Sequence, residues 1–108
     1  MNEEKIISQF RKGVLEMCVL KLSDGSAKYT GDLLKELKAA QLLVVEGTIY
    51  PLLNRLKDDG YLEYYWEEST GGPPRKYYRT TDKGREYLTL LRSGWNNMVS
   101  SVNQILNN

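Results

Sequence analysis

The chain has 108 residues, enough for one domain around one core. Its 41% hydrophobic and 27% charged residues are ordinary for a folded globular protein, and 15 basic against 14 acidic side chains leave no overall charge to name a partner. One cysteine and no histidine exclude a disulfide framework, the usual zinc sites and any histidine-dependent triad. No apolar run reaches the ~18 residues of a membrane span, and no charged-then-apolar leader opens the chain. The expectation is a cytoplasmic protein with no cofactor that binds something rather than transforms it.

From Glu4 to Leu22 the apolar positions Ile6, Ile7, Phe10, Val14, Met17, Cys18 and Leu22 recur at three- and four-residue steps, which predicts one amphipathic helix stopped by Ser23-Asp24-Gly25. Cys18 sits on that stripe as a small core side chain. After Tyr29-Thr30 a second short helix reads through Leu33, Leu34, Leu37 and Ala40. A third begins at Glu46-Gly47-Thr48 and runs through Ile49, Leu52, Leu53 and Leu56 to Asp59-Gly60. Pro51 lies about a turn inside its start, where a missing N–H costs least.

The period then changes. Leu62, Tyr64 and Trp66 alternate with Glu63, Tyr65 and Glu67, a strand signal, with the tyrosines at 61, 64 and 65 read as packing residues. Ser69 to Pro74 is a turn cluster, and Lys76 to Thr80 returns as the second strand of a hairpin. Thr81 can cap a last helix from Asp82-Lys83 onward. The expected fold is mainly α with a β-hairpin wing. It divides into a winged helix-turn-helix over residues 1–81 and a C-terminal dimerisation helix over 82–108.

In a helix-turn-helix the second helix enters the major groove with its N-terminal residues at the base edges. With its apolar positions turned inward, the third helix presents Thr48, Pro51, Asn54 and Arg55, with Tyr50 at the border. Thr, Asn and Arg hydrogen-bond base edges and phosphates alike, although a solvated helix face has the same composition. The hairpin adds a local charge asymmetry. Arg75, Lys76, Arg79, Lys83 and Arg85 meet only Asp82 there, whereas Lys57 is outnumbered by Asp58, Asp59, Glu63, Glu67 and Glu68 just before it. A basic wing tip, stiffened by Pro73-Pro74, suits phosphates or a minor groove.

Four segments in order resemble the PadR family of bacterial transcriptional regulators, over nearly the whole chain. Phe10 to Glu16 resembles the family's opening helix, Glu46 to Leu56 its recognition-helix signature, and Thr80 to Arg85 the start of its last helix. Gly60-Tyr61-Leu62 followed by Gly72 to Tyr78 resembles its wing. The resemblance implies a homodimeric repressor on an inverted-repeat operator in double-stranded DNA. It implies Thr48, Tyr50 and Asn54 at the DNA, Arg75 and Lys76 on the wing, and Lys28 and Tyr29 near the backbone. Lys28-Tyr29-Thr30-Gly31 departs from the Gly-Tyr pair commoner at that place.

The last helix carries a heptad seam: Leu88, Leu91, Trp95, Met98, Val102 and Ile105 are spaced 3, 4, 3, 4 and 3, broadened by Tyr87, Val99 and Leu106. No charged residue occurs from Ser93 to Asn108. A second copy of the chain is the expected cover, packing this helix on Ile6, Ile7 and Phe10 as the family implies. The length and the single closing helix resemble the short, LmrR-like multidrug-binding group. That resemblance implies a flat aromatic ligand at the dimer interface, stacked on Trp95 with Met98 and Val102 beside it. Equally, these side chains could fill the dimer core.

Two other classes remain to be weighed. A winged helix also serves as a protein–protein adaptor, with the uncharged last helix docking on another chain. An enzyme is disfavoured, since no paired carboxylates stand together. Glu67 and Glu68 point to opposite faces of a strand, and Gly71-Gly72 leads into prolines rather than a helix N-terminus.

Overall fold

The computed structural model describes residues 2–11 and 13–108. The described elements are α1 (Glu3–Arg11), α2 (Val14–Leu22), α3 (Thr30–Ala39), α4 (Glu46–Asp58), β1 (Leu62–Ser69), β2 (Gly72–Thr80) and α5 (Asp82–Leu106). The fold is mainly helical with a two-stranded antiparallel hairpin, as the sequence pattern predicts.

The first predicted helix is two helices. The three- and four-residue apolar rhythm runs on through the break, but Gly13 takes φ +91°, outside helical geometry, and the chain turns there. The core lies beyond that turn: Leu15, Val19 and Leu20 of α2 meet Leu33 and Leu37 of α3 and Ile49, Leu52, Leu53 and Leu56 of α4. Leu62, Tyr78 and Leu88 close it from the hairpin and α5. At roughly 25 cal/mol per Å² of apolar surface, each such leucine contributes about 2 kcal/mol before the entropy of ordering it.

The turn between α3 and α4 is built on Gln41, the one non-glycine residue at positive φ (67°) among those described. Its amide donates to the Lys38 carbonyl at 2.9 Å and the Leu42 amide to Leu37 at 2.8 Å, so the αL residue ends α3 and redirects the chain into α4. At the other end of α4, Tyr61 N–H reaches the Leu56 carbonyl at 2.9 Å around Gly60. Pro51 is the sixth residue of α4 and lies past the first turn; it removes the amide that would donate to Gly47.

The hairpin is longer and its turn tighter than the proline cluster suggested. Strand pairing runs from Leu62 opposite Thr80 to Glu67 opposite Arg75, then shifts register to join Ser69 with Gly72. Only Thr70 and Gly71 form the turn, with Gly71 at φ +75°. Pro73 and Pro74 belong to β2 and lie opposite the register shift between Glu67 and Ser69, where the ladder is interrupted and a missing N–H is tolerated. A single bridge from Lys28 to Tyr78, with N–H···O bonds of 2.7 and 2.9 Å, ties the hairpin to the start of α3. The buried Thr80 hydroxyl donates to the Leu20 carbonyl at 2.7 Å, and Thr81 caps α5 by accepting from Gly84 N–H at 2.9 Å.

Candidate nucleic-acid interface

Along α4 the sequence alternation becomes two faces. Ile49, Leu52, Leu53 and Leu56 are buried, while Thr48, Tyr50, Pro51, Asn54 and Arg55 are exposed. Thr48, Tyr50 and Asn54 stand free of side-chain hydrogen bonds or ion pairs within the described residues. Arg55 does not: its guanidinium lies 2.6 Å from Oε1 of Glu16 on α2.

The basic residues around the wing sort into two groups. Arg79 pairs with Glu63 across the hairpin at 2.8 Å, Arg85 pairs with Asp24 at 3.2 Å and with Asp82, and Lys83 donates to the Asp59 carbonyl at 2.8 Å. Arg75 and Lys76 have no carboxylate partner among the described residues, although Glu67 is the cross-strand neighbour of Arg75. Instead the Arg75 guanidinium lies 4.3 Å from the centre of the Tyr29 ring, and the Lys76 ammonium lies 4.5 Å from Tyr64 and 5.3 Å from Trp66. An aromatic face orients a cation without neutralising it, so both keep full charge for an anionic partner. Lys28, in contrast, pairs with Glu36 at 2.9 Å.

Aromatic rings supply the stiffness of this surface. Tyr65 stacks on Tyr77 at 5.8 Å, Tyr77 meets Tyr29 at 5.5 Å, and Tyr64 meets Tyr78 at 5.8 Å. Burial pushes the Tyr78 hydroxyl above its ordinary range, with Tyr64 and Tyr50 adding to it. α4 packs directly against β1, so that helix and the wing are neighbours.

Val45, just before α4, was not singled out by the sequence pattern. It is the N-cap of α4, makes no capping hydrogen bond from its side chain, and is 66% exposed. Its neighbour Leu43 is also exposed. Serine, threonine, asparagine or aspartate is the favoured residue there.

The residues expected at a dimer interface divide differently from the heptad reading. Leu88 is buried in the chain's own core and Leu91 packs half-buried against it, so these two serve the protomer. Trp95, Met98, Val102 and Ile105 are exposed and Val99 is half-buried, on the part of α5 beyond the core. On α1, Ile7 and Phe10 are exposed and Ile6 is half-buried. Of the expected ligand residues, Trp95 faces a cavity. Met17, Cys18, Leu22, Leu37, Leu42 and Leu88 line a groove of about 360 Å³ with it, and Met98 and Val102 lie further along α5. Burial in that groove raises the Cys18 thiol pKa, consistent with a packing role.

Among the described residues no helix is long and apolar enough to cross a membrane. Residues 19–90 match the family model described as the Transcriptional regulator PadR-like family. A PadR-like transcription factor of Bacteroides fragilis is 50% identical, covering 94% of this chain and 98% of its own, with a TM-score of 0.77. A PadR family transcriptional regulator of Eggerthella lenta is 33% identical over 95% of this chain and 90% of its own, with a TM-score of 0.88. A PadR-like transcriptional regulator of Bacillus cereus is 39% identical over 93% and 98%, with a TM-score of 0.79. The matched residues contain α3, α4 and the hairpin whose exposed faces are described above. The chain belongs to the PadR-like family of transcriptional regulators, which bind DNA and are not enzymes.

Proposed function

We propose that the chain is a sequence-specific repressor that binds an inverted-repeat operator as a cytoplasmic homodimer. Residues 1–81 form the DNA-binding unit and 82–108 the dimerisation helix. Thr48, Tyr50 and Asn54 read base edges. Arg55 and Lys28, held by carboxylates, meet the backbone more weakly, and Tyr29, Arg75 and Lys76 grip phosphates from the wing side.

The observation that carries this reading is the sorting of the cations: Arg75 and Lys76 alone of the wing's five lack a carboxylate or carbonyl partner among the described residues. Arg75 rests on the Tyr29 ring at the start of α3 and Lys76 beside Tyr64 of β1, and both α3 and β1 pack against α4. Dimerisation is supported by the exposed apolar end of α5, where Ile105 and Leu106 are 76% and 71% exposed. A two-fold dimer sets two α4 helices about one helical turn of DNA, ~34 Å, apart.

A flat aromatic ligand entering beside Trp95 releases the operator to the extent that it prefers one dimer geometry over the other. Selection from a randomised duplex pool tests the DNA part of the proposal. Enrichment of an inverted repeat supports it. A pool that stays random moves the chain to the adaptor class.

A further inference from the structure

The Tyr29 ring folds back over the first turn of α3. A Cβ placed on Gly31 would lie 2.5 Å from its Cε2 and 2.7 Å from its Cζ and Oη. Gly31 is helical and is not among the glycines at positive φ, so its backbone accepts any L residue. The three atoms that such a side chain would meet first all belong to the Tyr29 side chain. Glycine is also a poor helix former, so its presence inside α3 runs against local preference.

The same ring carries the Arg75 guanidinium 4.3 Å from its centre and meets Tyr77 of β2 at 5.5 Å. The Asp32 carboxylate accepts from the Tyr29 backbone N–H at 3.4 Å, and the neighbouring Lys28 bridges to Tyr78. The backbone at Tyr29 is thus anchored from both sides, and the ring is what would yield to a side chain at position 31. Displacing it would remove the surface on which Arg75 rests.

We infer that Gly31 is a positioning residue for DNA binding. By leaving room for the Tyr29 ring, it holds the wing's Arg75 beside the start of α3, so that helix-turn-helix and wing meet the phosphate backbone as one unit. The inference rests on the DNA-binding reading above and adds a residue that touches neither base nor phosphate.

The test compares Gly31→Ala, Arg75→Ala and the double variant on a duplex selected from a randomised pool, titrated at several salt concentrations. Gly31→Ala melts at or above the temperature of the unmodified chain, yet binds every sequence more weakly. Its slope of log K against log salt falls by about 0.9, the value for one phosphate contact, as it does for Arg75→Ala. The double variant falls no further. Should Gly31→Ala fail to fold, Tyr29→Leu replaces it, since it removes the ring and keeps the glycine; the neutral phenol's own phosphate contact adds affinity but no salt slope, so the slope must fall as for Arg75→Ala and no further in the double variant. Loss in Arg75→Ala with unchanged affinity and slope in Gly31→Ala, or additive losses of slope, overturns the inference alone. Absence of duplex binding by the unmodified chain overturns it together with the DNA-binding reading.

Discussion

The Arg55 guanidinium rests 2.6 Å from Oε1 of Glu16, joining the outer face of α4 to α2 across 39 positions of sequence. The Glu16 side chain is only 12% exposed, whereas that of Arg55 is 55% exposed. The pair therefore fixes α4 on the core as much as it offers a cation to DNA. Arg55→Ala is expected to lower stability by about 1 kcal/mol, because it strips the partner from a nearly buried carboxylate. Its effect on DNA should be a similar loss on all duplexes, whereas Asn54→Ala should alter base preference. Urea denaturation and repeated duplex selection check both. A changed base preference in Arg55→Ala would contradict this division of roles.

Glu16 also faces the Tyr87 hydroxyl, 3.5 Å from each carboxylate oxygen. Burial first, and then the negative charge of Glu16 and the stacked Tyr61, hold the Tyr87 phenol above its ordinary range. A raised folded-state value favours the neutral form in the native protein. Its stabilising contribution is complete below the unfolded tyrosine value of about 10 and is lost as pH rises through the folded value. Stability measured by urea should fall above about pH 10, less steeply in Tyr87→Phe. Equal slopes in the two proteins would show that Tyr87 ionises alike in both states.

Val45 gives a prediction of opposite sign. As an exposed N-cap with no side-chain hydrogen bond, it leaves the first amides of α4 to the backbone and solvent. Val45→Ser is expected to raise stability by about 1 kcal/mol through a new cap. An unchanged or lower midpoint in urea would mean that the valine packs against something the isolated chain does not hold, such as a second copy.

The end of α5 makes the dimer testable without touching the core. Val102 is exposed, and no charged side chain occurs between Ser93 and Asn108. Val102→Asp would bury a carboxylate in an apolar seam, costing several kcal/mol of association. Sedimentation velocity should find the unmodified chain dimeric and the variant monomeric, with unchanged helix content. A variant that remains dimeric would place the interface elsewhere.

The elements visible in the sequence are those whose signal is local. The α3 and α4 periods, the strand alternation at Leu62-Tyr64-Trp66 and the Thr81 cap all depend on neighbours within a few residues, and all appear in the fold. The break at Gly13 was hidden because the apolar rhythm continues across it, and only the backbone angle reveals the turn. Pro73 and Pro74 looked like the wing tip because proline marks turns, yet an irregularity in the strand pairing tolerates them equally well.

The site was legible as residue types but not as states of pairing. Charge counting treated the five basic residues from Arg75 to Arg85 alike. Three are held by Glu63, Asp24, Asp82 or the Asp59 carbonyl, and of these partners all but Asp82 are brought near by the tertiary fold. Leu88 kept the heptad rhythm while serving the protomer core, since spacing does not tell which surface a side chain meets. Gly31 signalled no more than a poor helix former inside a helix; the role inferred for it depends on a ring two residues away and a guanidinium on another element.

Sequence-specific recognition of DNA is the claim on which the rest stands. It is tested most directly by titrating one enriched inverted repeat and one scrambled duplex of equal length at several salt concentrations. The enriched site should bind ~10³-fold or more tightly than the scrambled one at physiological salt, with both affinities falling as salt rises. A ratio near one, with the same steep salt dependence on both duplexes, would reduce the wing to generic charge and contradict base reading by Thr48, Tyr50 and Asn54.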